Sequence, residues 1–221
     1  MIHSRPLVLA SSSPRRQYLM KATGLQFTVA KPEVEEVYPA HLPASEVARY
    51  LASLKAAYFR PHPEDRIVVT ADTVVILDDT ILNKPTDRQD AMDMLSRLAG
   101  RTHKVMTGVT ITSADKEESF DETTYVTFEE LDQRQIEQYI DTFQPFDKAG
   151  AYGAQDSLPP GVNPCSAEEI AFLKEIGKLS LVEDSQPASG ERIVIIRAIE
   201  GSYFNVMGLP VHKVYQRLMR W

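Results

Sequence analysis

Asp72 stands in the middle of the most apolar run of the chain, Ile67 to Leu77, where Thr70-Ala71-Asp72-Thr73 interrupts a series of β-branched residues. A carboxylate buried in such a strand is costly unless it is paired, hydrogen-bonded or bound to a metal. The position therefore marks either a reactive site or a local break, a bulge or strand end with the carboxylate bonded to nearby backbone. As a site residue beside a metal and a water, Asp72 would orient and deprotonate the water for attack on phosphorus. The complementary cations lie elsewhere. Arg15 and Arg16 follow Ser11-Ser12-Ser13-Pro14 and fall in the first turn of a helix, where the dipole makes carboxylates the expected residues. Two arginines there make sense if a polyanion binds, because free N–H groups, serine hydroxyls and guanidinium forks converge on phosphate oxygens. Otherwise both extend into water from a surface helix. Lys55 and Lys84 extend the set of cations; Pro85 restricts the backbone at Lys84, although an ordinary surface lysine explains the same letters. Glu33, Glu35 and Glu36 are oxygen ligands of the kind magnesium or manganese takes, and are equally a solvated acidic loop.

The elements that must position these residues follow from pattern. Leu7 to Ala10 reads as a buried strand, Ser13 as a helix N-cap and Pro14 as the first helical residue, so the chain turns there from strand to helix, ending before Gly24. A strand over Phe27 to Ala30 leads into the acidic loop. A helix is predicted from Ser45 to Phe59 with Val47, Tyr50, Leu51, Leu54 and Tyr58 on its buried face and Lys55 at the border, its ammonium over an edge or cleft. Ile67 to Leu77 is the central strand, turned by Asp78-Asp79 into a short strand at Thr80 to Leu82. Asp87 caps a helix carrying Ala91, Met94, Leu95 and Leu98 and closed by Gly100. Strands over His103 to Thr112 and Thr124 to Phe128 flank a polar loop at Asp115 to Ser119, and Asp132 with Gln135 forms a capping box for a helix to Ile140. Gly150 and Gly153 allow close backbone approach, so that Tyr152 and Gln155 contact a planar base; a small-residue core strand is the other reading. A strand over Ile193 to Ala198 and a helix opened by Pro210, burying Val211, Val214, Tyr215 and Leu218, complete the chain. Loose alternation with hairpins argues for an α/β fold on a mixed sheet.

Composition narrows the class. With 221 residues, 43% of them hydrophobic and 25% charged, the chain suits one globular domain or a two-lobed one. A net charge of −7 disfavours a nonspecific nucleic-acid binder, yet leaves room for a local cluster gripping one phosphate chain. Cys165 is the only cysteine, which excludes an intrachain disulfide and a multi-cysteine metal site and fits a reducing cytoplasm. The five histidines lack zinc-ligand spacing, and neither a Walker loop nor a dinucleotide fingerprint is present. The opening residues are too short for a signal peptide and no stretch reaches bilayer length, so the expectation is a cytoplasmic protein without a membrane partner.

Taken together, Leu9 to Arg16, Val34-Glu35-Glu36, Ala71 to Val75, Lys84-Pro85, His103 to Gly108, Asp147 to Gln155, Gly201-Ser202-Tyr203 and Gly208-Leu209-Pro210 resemble, in order and over nearly the whole chain, the Maf-type nucleoside triphosphate pyrophosphatases, also called septum formation proteins. The resemblance implies an elongated mixed β-sheet flanked by helices in two lobes with a central cleft, like that of inosine triphosphate pyrophosphatases. It implies hydrolysis of the α–β phosphate bond of a nucleotide to the monophosphate and pyrophosphate, with magnesium or manganese. Carried across, Asp72 is the proton acceptor; Ser13, Arg15, Arg16, Lys55 and Lys84 handle phosphate; Glu36 and Asp72 hold the metal. Arg15, Thr73 and Gln155 govern substrate choice, and Ala-Tyr-Gly-Ala-Gln with Gly-Ser-Tyr is similar to the branch acting on dTTP and UTP rather than the one preferring 7-methyl-GTP. A homodimer is left open.

Two departures from the family pattern are Thr70, where glycine is frequent, and Ala154, where a larger aliphatic is usual. The 46 positions from Gln155 to Gly201 exceed the spacing expected in relatives. The single domain over 1–221 is therefore expected to carry an inserted helical segment at about 156–190, with Ser166 and Glu169 boxing a helix to Gly177, which shields the base pocket, joins a dimer contact or is a neutral decoration. The competing function is a nucleotide-binding regulator of cell division or septum formation without significant turnover. A generic phosphatase, with orthophosphate as its first product, is the third.

Overall fold

Alternation along Ile67–Leu77 sorts the side chains of this strand onto two faces, and both are covered. A computed structural model of the chain describes residues 5–60, 65–159, 161–179 and 193–221. Its strands are β1 (Leu7–Ala10), β2 (Thr28–Ala30), β3 (Ile67–Leu77), β4 (Thr80–Leu82), β5 (Thr102–Thr112), β6 (Glu117–Phe128) and β7 (Ile196–Glu200). They form a seven-stranded sheet in the order β2-β1-β3-β5-β6-β7, with β4 paired to β3. β1 is parallel to β2 and β3, and the other pairings are antiparallel, so the sheet is mixed as expected.

The helices are α1 (Pro14–Ala22), α2 (Ala44–Ala57), α3 (Arg88–Leu98), α4 (Gln133–Phe143), α5 (Ala167–Glu175), α6 (Tyr203–Val206) and α7 (Val211–Leu218). On one face of β3, Val74 and Ile76 pack with Met106 of β5 against Val47, Ala48 and Leu51 of α2. On the other, Ile67, Val69, Ala71, Val75 and Leu77 join a larger core with residues of α1, α3, α4, α5 and α7. No helix among the described residues is long and apolar enough to cross a membrane.

The feature that creates a site is a window in this sheet. β1 pairs with β3 only over Ile67 to Val69, and β4 only over Val75 to Leu77. Between them, among the described residues, the edge of β3 at Thr70 to Val74 carries no strand. β1 thus ends beside an opening, and a crevice outside the carboxyl end of a strand is where open α/β sheets bind ligands.

The predicted caps, which depend only on residues close in the chain, are all formed. Ser13 caps α1, its Oγ accepting from Arg16 N at 3.4 Å, with Pro14 at the first position. Asp87 caps α3, and Asp132–Gln135 and Ser166–Glu169 both form complete capping boxes. Elements that depend on distant partners differ. The buried face of α2 is Val47, Ala48, Leu51, Ala52, Lys55 and Ala56, while Tyr50 is exposed; the alanines turn inward because the helix lies tight on the sheet. β6 begins at Glu117, so the predicted polar loop is mostly strand, in unbroken register with β5. Its carboxylates are met by cations from helices and their ends, Glu117 by Arg60, Asp121 by Arg49 and Glu118 by Arg217. β7 lies slightly later than read, and its expected start at Ile193 precedes the paired residues. Asp147 to Gln155 is neither strand nor helix but falls in short 3-10 turns.

The segment after Gln155 also has a definite seat where it is described; its part at 180–190 lies outside the described residues. α5 is anchored by Glu169, fully buried, whose carboxylate accepts from Ser202 Oγ at 2.5 Å, Phe204 N at 2.8 Å and Tyr203 N at 3.1 Å, besides Ser166 N at 2.8 Å. A carboxylate that takes the free N–H groups of one helix while boxing another satisfies donors that would otherwise be buried unpaired.

Candidate active site

The window is the floor of a cleft of about 560 Å³ lined by Ser13, Arg15, Arg16, Glu36, Lys55, Asp72, Thr73, Lys84 and Gln155, whereas Glu33 and Glu35, the other two carboxylates of the acidic loop, do not line it. They arrive from several elements: Ser13, Arg15 and Arg16 from the start of α1, Lys55 from α2, Asp72 and Thr73 from β3, and Glu36, Lys84 and Gln155 from the connections. Asp72 occupies an unbroken stretch of β3, paired with Gly108 of β5, so the bulge or strand-end reading does not hold. Its neighbour Thr70 points to the same side and donates its Oγ1 hydrogen to Ala52 O at 2.7 Å, tying β3 to α2. That contact accounts for a threonine where the family pattern has glycine.

Burial of Asp72 is offset by Lys55, whose Nζ lies 2.5 Å from Asp72 Oδ1 and 2.9 Å from Glu36 Oε1. Lys55 itself is only 6% exposed, deeper than the border position expected, and its ammonium joins the buried Asp72 to Glu36, whose side chain is half exposed. Burial alone raises the Glu36 carboxyl, but the hydrogen bond and charge of Lys55, with Lys84 and Arg16 further off, hold it below its ordinary value.

Arg16 is committed to the protein in a way the sequence did not suggest. Nε donates to Gly208 O at 2.7 Å, Nη1 to Ala71 O at 2.8 Å and Nη2 to Thr73 Oγ1 at 3.0 Å. The guanidinium thus grips β3 on both sides of Asp72 through its open edge, and burial lowers its pKa against the pull of Asp72. Thr73 Oγ1 also lies 2.9 Å from Thr107 Oγ1, which places Thr73 on the side of the sheet opposite Asp72. Arg15 reaches across the cleft to Asp147.

Tyr152 does not offer a free stacking face. It is buried, edge-on to His103 and Phe128, with its Oη 2.7 Å from His103 Nε2. Gly150 makes a close approach, but to the core and not to a ligand: a Cβ there would press on Val75, and its φ of 70° suits glycine. Gly153 N donates to Tyr139 Oη at 3.0 Å, holding the segment that carries Gln155. The sequence reading missed Lys31, Asn83 and Lys148 as lining residues. Lys148 was within the Asp147 to Gln155 stretch, but nothing in its spacing set it apart. A larger groove of about 740 Å³ between α5, α7 and the start of β6 contains none of the expected site residues.

His103 and His212 are buried with Nδ1 unpartnered. Burial pulls His103 to about 3 and His212 to about 4. Because both folded values lie below the unfolded value, the unfolded chain binds more protons as pH falls below about 6.5. Their contribution to stability is full above that pH and is lost as pH falls towards the folded values. Urea unfolding at pH 7.5 and 5.0 is expected to show a loss of about 2 kcal/mol for each ring; a His103→Gln variant whose stability falls between these two pH values as much as that of the wild type would contradict this for His103.

Residues 6–163 match the family model described as Maf-like protein. Among curated proteins, the chain is 40% identical over 217 residues to a dTTP/UTP pyrophosphatase of Phocaeicola vulgatus, covering 97% of this chain and 95% of that relative. It is 36% identical to one of Cytophaga hutchinsonii, covering 98% of this chain and 84% of the relative. A third, from Symbiobacterium thermophilum, is 39% identical over 97% of this chain and 93% of its own length. The cleft, the order of motifs and the extent of these matches agree, and the chain belongs to the family of Maf-like proteins.

Proposed function

We propose that the chain hydrolyses the α–β phosphate bond of a pyrimidine nucleoside triphosphate, dTTP or UTP, releasing the monophosphate and pyrophosphate. The observation that carries this reading is the charge of the cleft. Arg15, Arg16, Lys31, Lys55, Lys84 and Lys148 face Glu36, Asp72 and Asp147, an excess of cations in a chain whose net charge is −7. Such local focusing attracts a small polyanion and not an extended one. The relatives named as dTTP/UTP pyrophosphatases supply the pyrimidine. A regulator without turnover is not favoured, since sensing requires no base beside the phosphates.

In this reading Asp72 takes a proton from water through a carboxylate oxygen while the water oxygen bonds to phosphorus, and the bridging P–O bond breaks to release pyrophosphate. Lys55 fixes the carboxylate in place. Three of the five N–H groups of Arg16 are bonded within the protein, two to β3 and one to Gly208 O, leaving two that can serve a phosphate. Lys84 and Ser13 add donors, and Arg15, Thr73 and Gln155 select the nucleotide.

Glu36 and Asp72 fit a divalent cation, because Glu36 Oε1 and Asp72 Oδ1 converge on the same ammonium, at 2.9 and 2.5 Å from Lys55 Nζ. No group of three potential ligands occurs among the described residues, but magnesium takes one or two carboxylates and completes its shell with phosphate oxygens and water. Magnesium or manganese held there would neutralise developing charge on the phosphates. We further read the chain as a single Maf-like domain acting in the cytoplasm, with no nucleic-acid partner and with a homodimer as one assembly.

Pyrophosphate release from a nucleotide panel tests the proposal. dTTP and UTP are expected to exceed purine nucleotides and 7-methyl-GTP by about tenfold or more in kcat/KM, and chelation of divalent cations is expected to reduce release to background. Orthophosphate as first product, or equal turnover of purines, would refute the reading.

A further inference from the structure

Asp147 joins the two walls of the cleft. Its Oδ2 accepts from Arg15 Nη1 at 3.3 Å, and Arg15 belongs to the first turn of α1. Its Oδ1 accepts from Lys148 Nζ at 2.7 Å, in the turns that follow α4. One carboxylate oxygen meets a guanidinium and the other an ammonium, as two oxygens of a phosphate would. The exposures are unequal. The Asp147 side chain is 63% exposed, whereas that of Lys148 is 15% exposed. Lys148 is therefore a positioned cation lining the cleft, and its carboxylate partner is the most exposed member of the pair. Exposed ion pairs are weak, so a ligand carrying more negative charge displaces this partner readily. Lys55 differs, since its two carboxylate partners include the buried Asp72.

We propose that Lys148 is a further substrate-binding residue, which takes a phosphate oxygen together with Arg15, and that Asp147 is a placeholder replaced by that phosphate. The inference rests on the cleft being a nucleoside triphosphate site. It assigns Lys148 to binding and gives Asp147 no part in the reaction: the carboxylate keeps Arg15 and Lys148 converged when no nucleotide is bound.

The test is calorimetric binding of a dTTP analogue with a methylene group in place of the α–β bridging oxygen, so that affinity is read without hydrolysis. Lys148→Met keeps the stem and removes the charge; Kd is expected to rise about tenfold, the scale of one charge-assisted hydrogen bond. Lys148→Arg is expected to recover most of that loss, and the salt dependence of Kd is expected to flatten in the methionine variant. Asp147→Asn, which removes a competing anion, is expected to bind as tightly as wild type or more tightly. An unchanged Kd in Lys148→Met, with an unchanged melting temperature, overturns the proposal. So does Asp147→Asn weakening binding as much as Lys148→Met, which would make the carboxylate a required support. Lys148→Gln serves if the methionine variant does not fold. A wild-type chain that binds the analogue, and loses affinity in Lys148→Met, yet releases no pyrophosphate from dTTP, would overturn the hydrolytic reading and leave this one standing.

Discussion

Asp72→Asn is expected to lower pyrophosphate release from dTTP by about 10²- to 10⁴-fold, the range for loss of a general base. Shape is preserved, because asparagine keeps an oxygen that Lys55 can still approach, now at 2.5 Å from Oδ1. Removing one partner of a buried ion pair usually costs about 3 to 5 kcal/mol, but here Lys55 retains Glu36 at 2.9 Å. The fold should therefore survive, with a modest fall in melting temperature. Binding of the methylene analogue without added metal should be no weaker, since a negative charge is removed from a site that receives phosphates. Rate and affinity thus move apart. If affinity collapses while turnover per bound nucleotide is kept, Asp72 binds substrate and some other group accepts the proton.

Gly108→Ala is the second large effect, and it acts from outside the cleft. Gly108 is the register partner of Asp72, so both face α2. A Cβ at Gly108 would fall onto backbone atoms of Ala48 and Arg49. Backbone cannot swing aside as a side chain can, so α2 must move or the strand must bend. Overpacking of this kind costs about 1 to 3 kcal/mol, occasionally more. The same helix carries Lys55 and Leu51 into the cleft, and a shift there separates the ammonium from Asp72. We expect a loss of about 3 kcal/mol in urea unfolding together with at least a tenfold fall in kcat in the remaining folded protein. Normal activity at wild-type stability would show that α2 need not lie this close.

These two residues also show what was legible beforehand. Asp72 could be picked out because its cost is written in its neighbours: a charge in an apolar β-branched run is anomalous in one dimension. The turn from β1 to α1 and the caps at Asp87, Asp132 and Ser166 were equally readable, as each depends on residues three or four apart. Gly108 could not be picked out, because its importance lies in a helix some sixty positions earlier in the chain. The polar half of β6 looked like a loop because its charges are matched by Arg49, Arg60 and Arg217 on other elements. Tyr152 looked like a platform for a base because aromatic character is visible in sequence and a hydrogen bond to His103 is not. Glu169 was read rightly as a capping residue, but its bonds to the start of α6 come from chain more than thirty positions away.

The bare stretch of β3 between β1 and β4 has one further implication. Adjacent residues of a strand point to opposite sides, so Asp72 looks toward α2 and Thr73 toward Arg16 and Thr107. On the proposed reading, a molecule lodged against that uncovered edge meets both sides of the sheet at once, with the proton acceptor on one and Thr73, proposed for nucleotide choice, on the other. If those proposed roles hold, substitutions on the Thr73 side are expected to change which nucleotide is accepted while the Lys55–Asp72 pair stays as it is, so that preference diverges without the chemistry being reinvented.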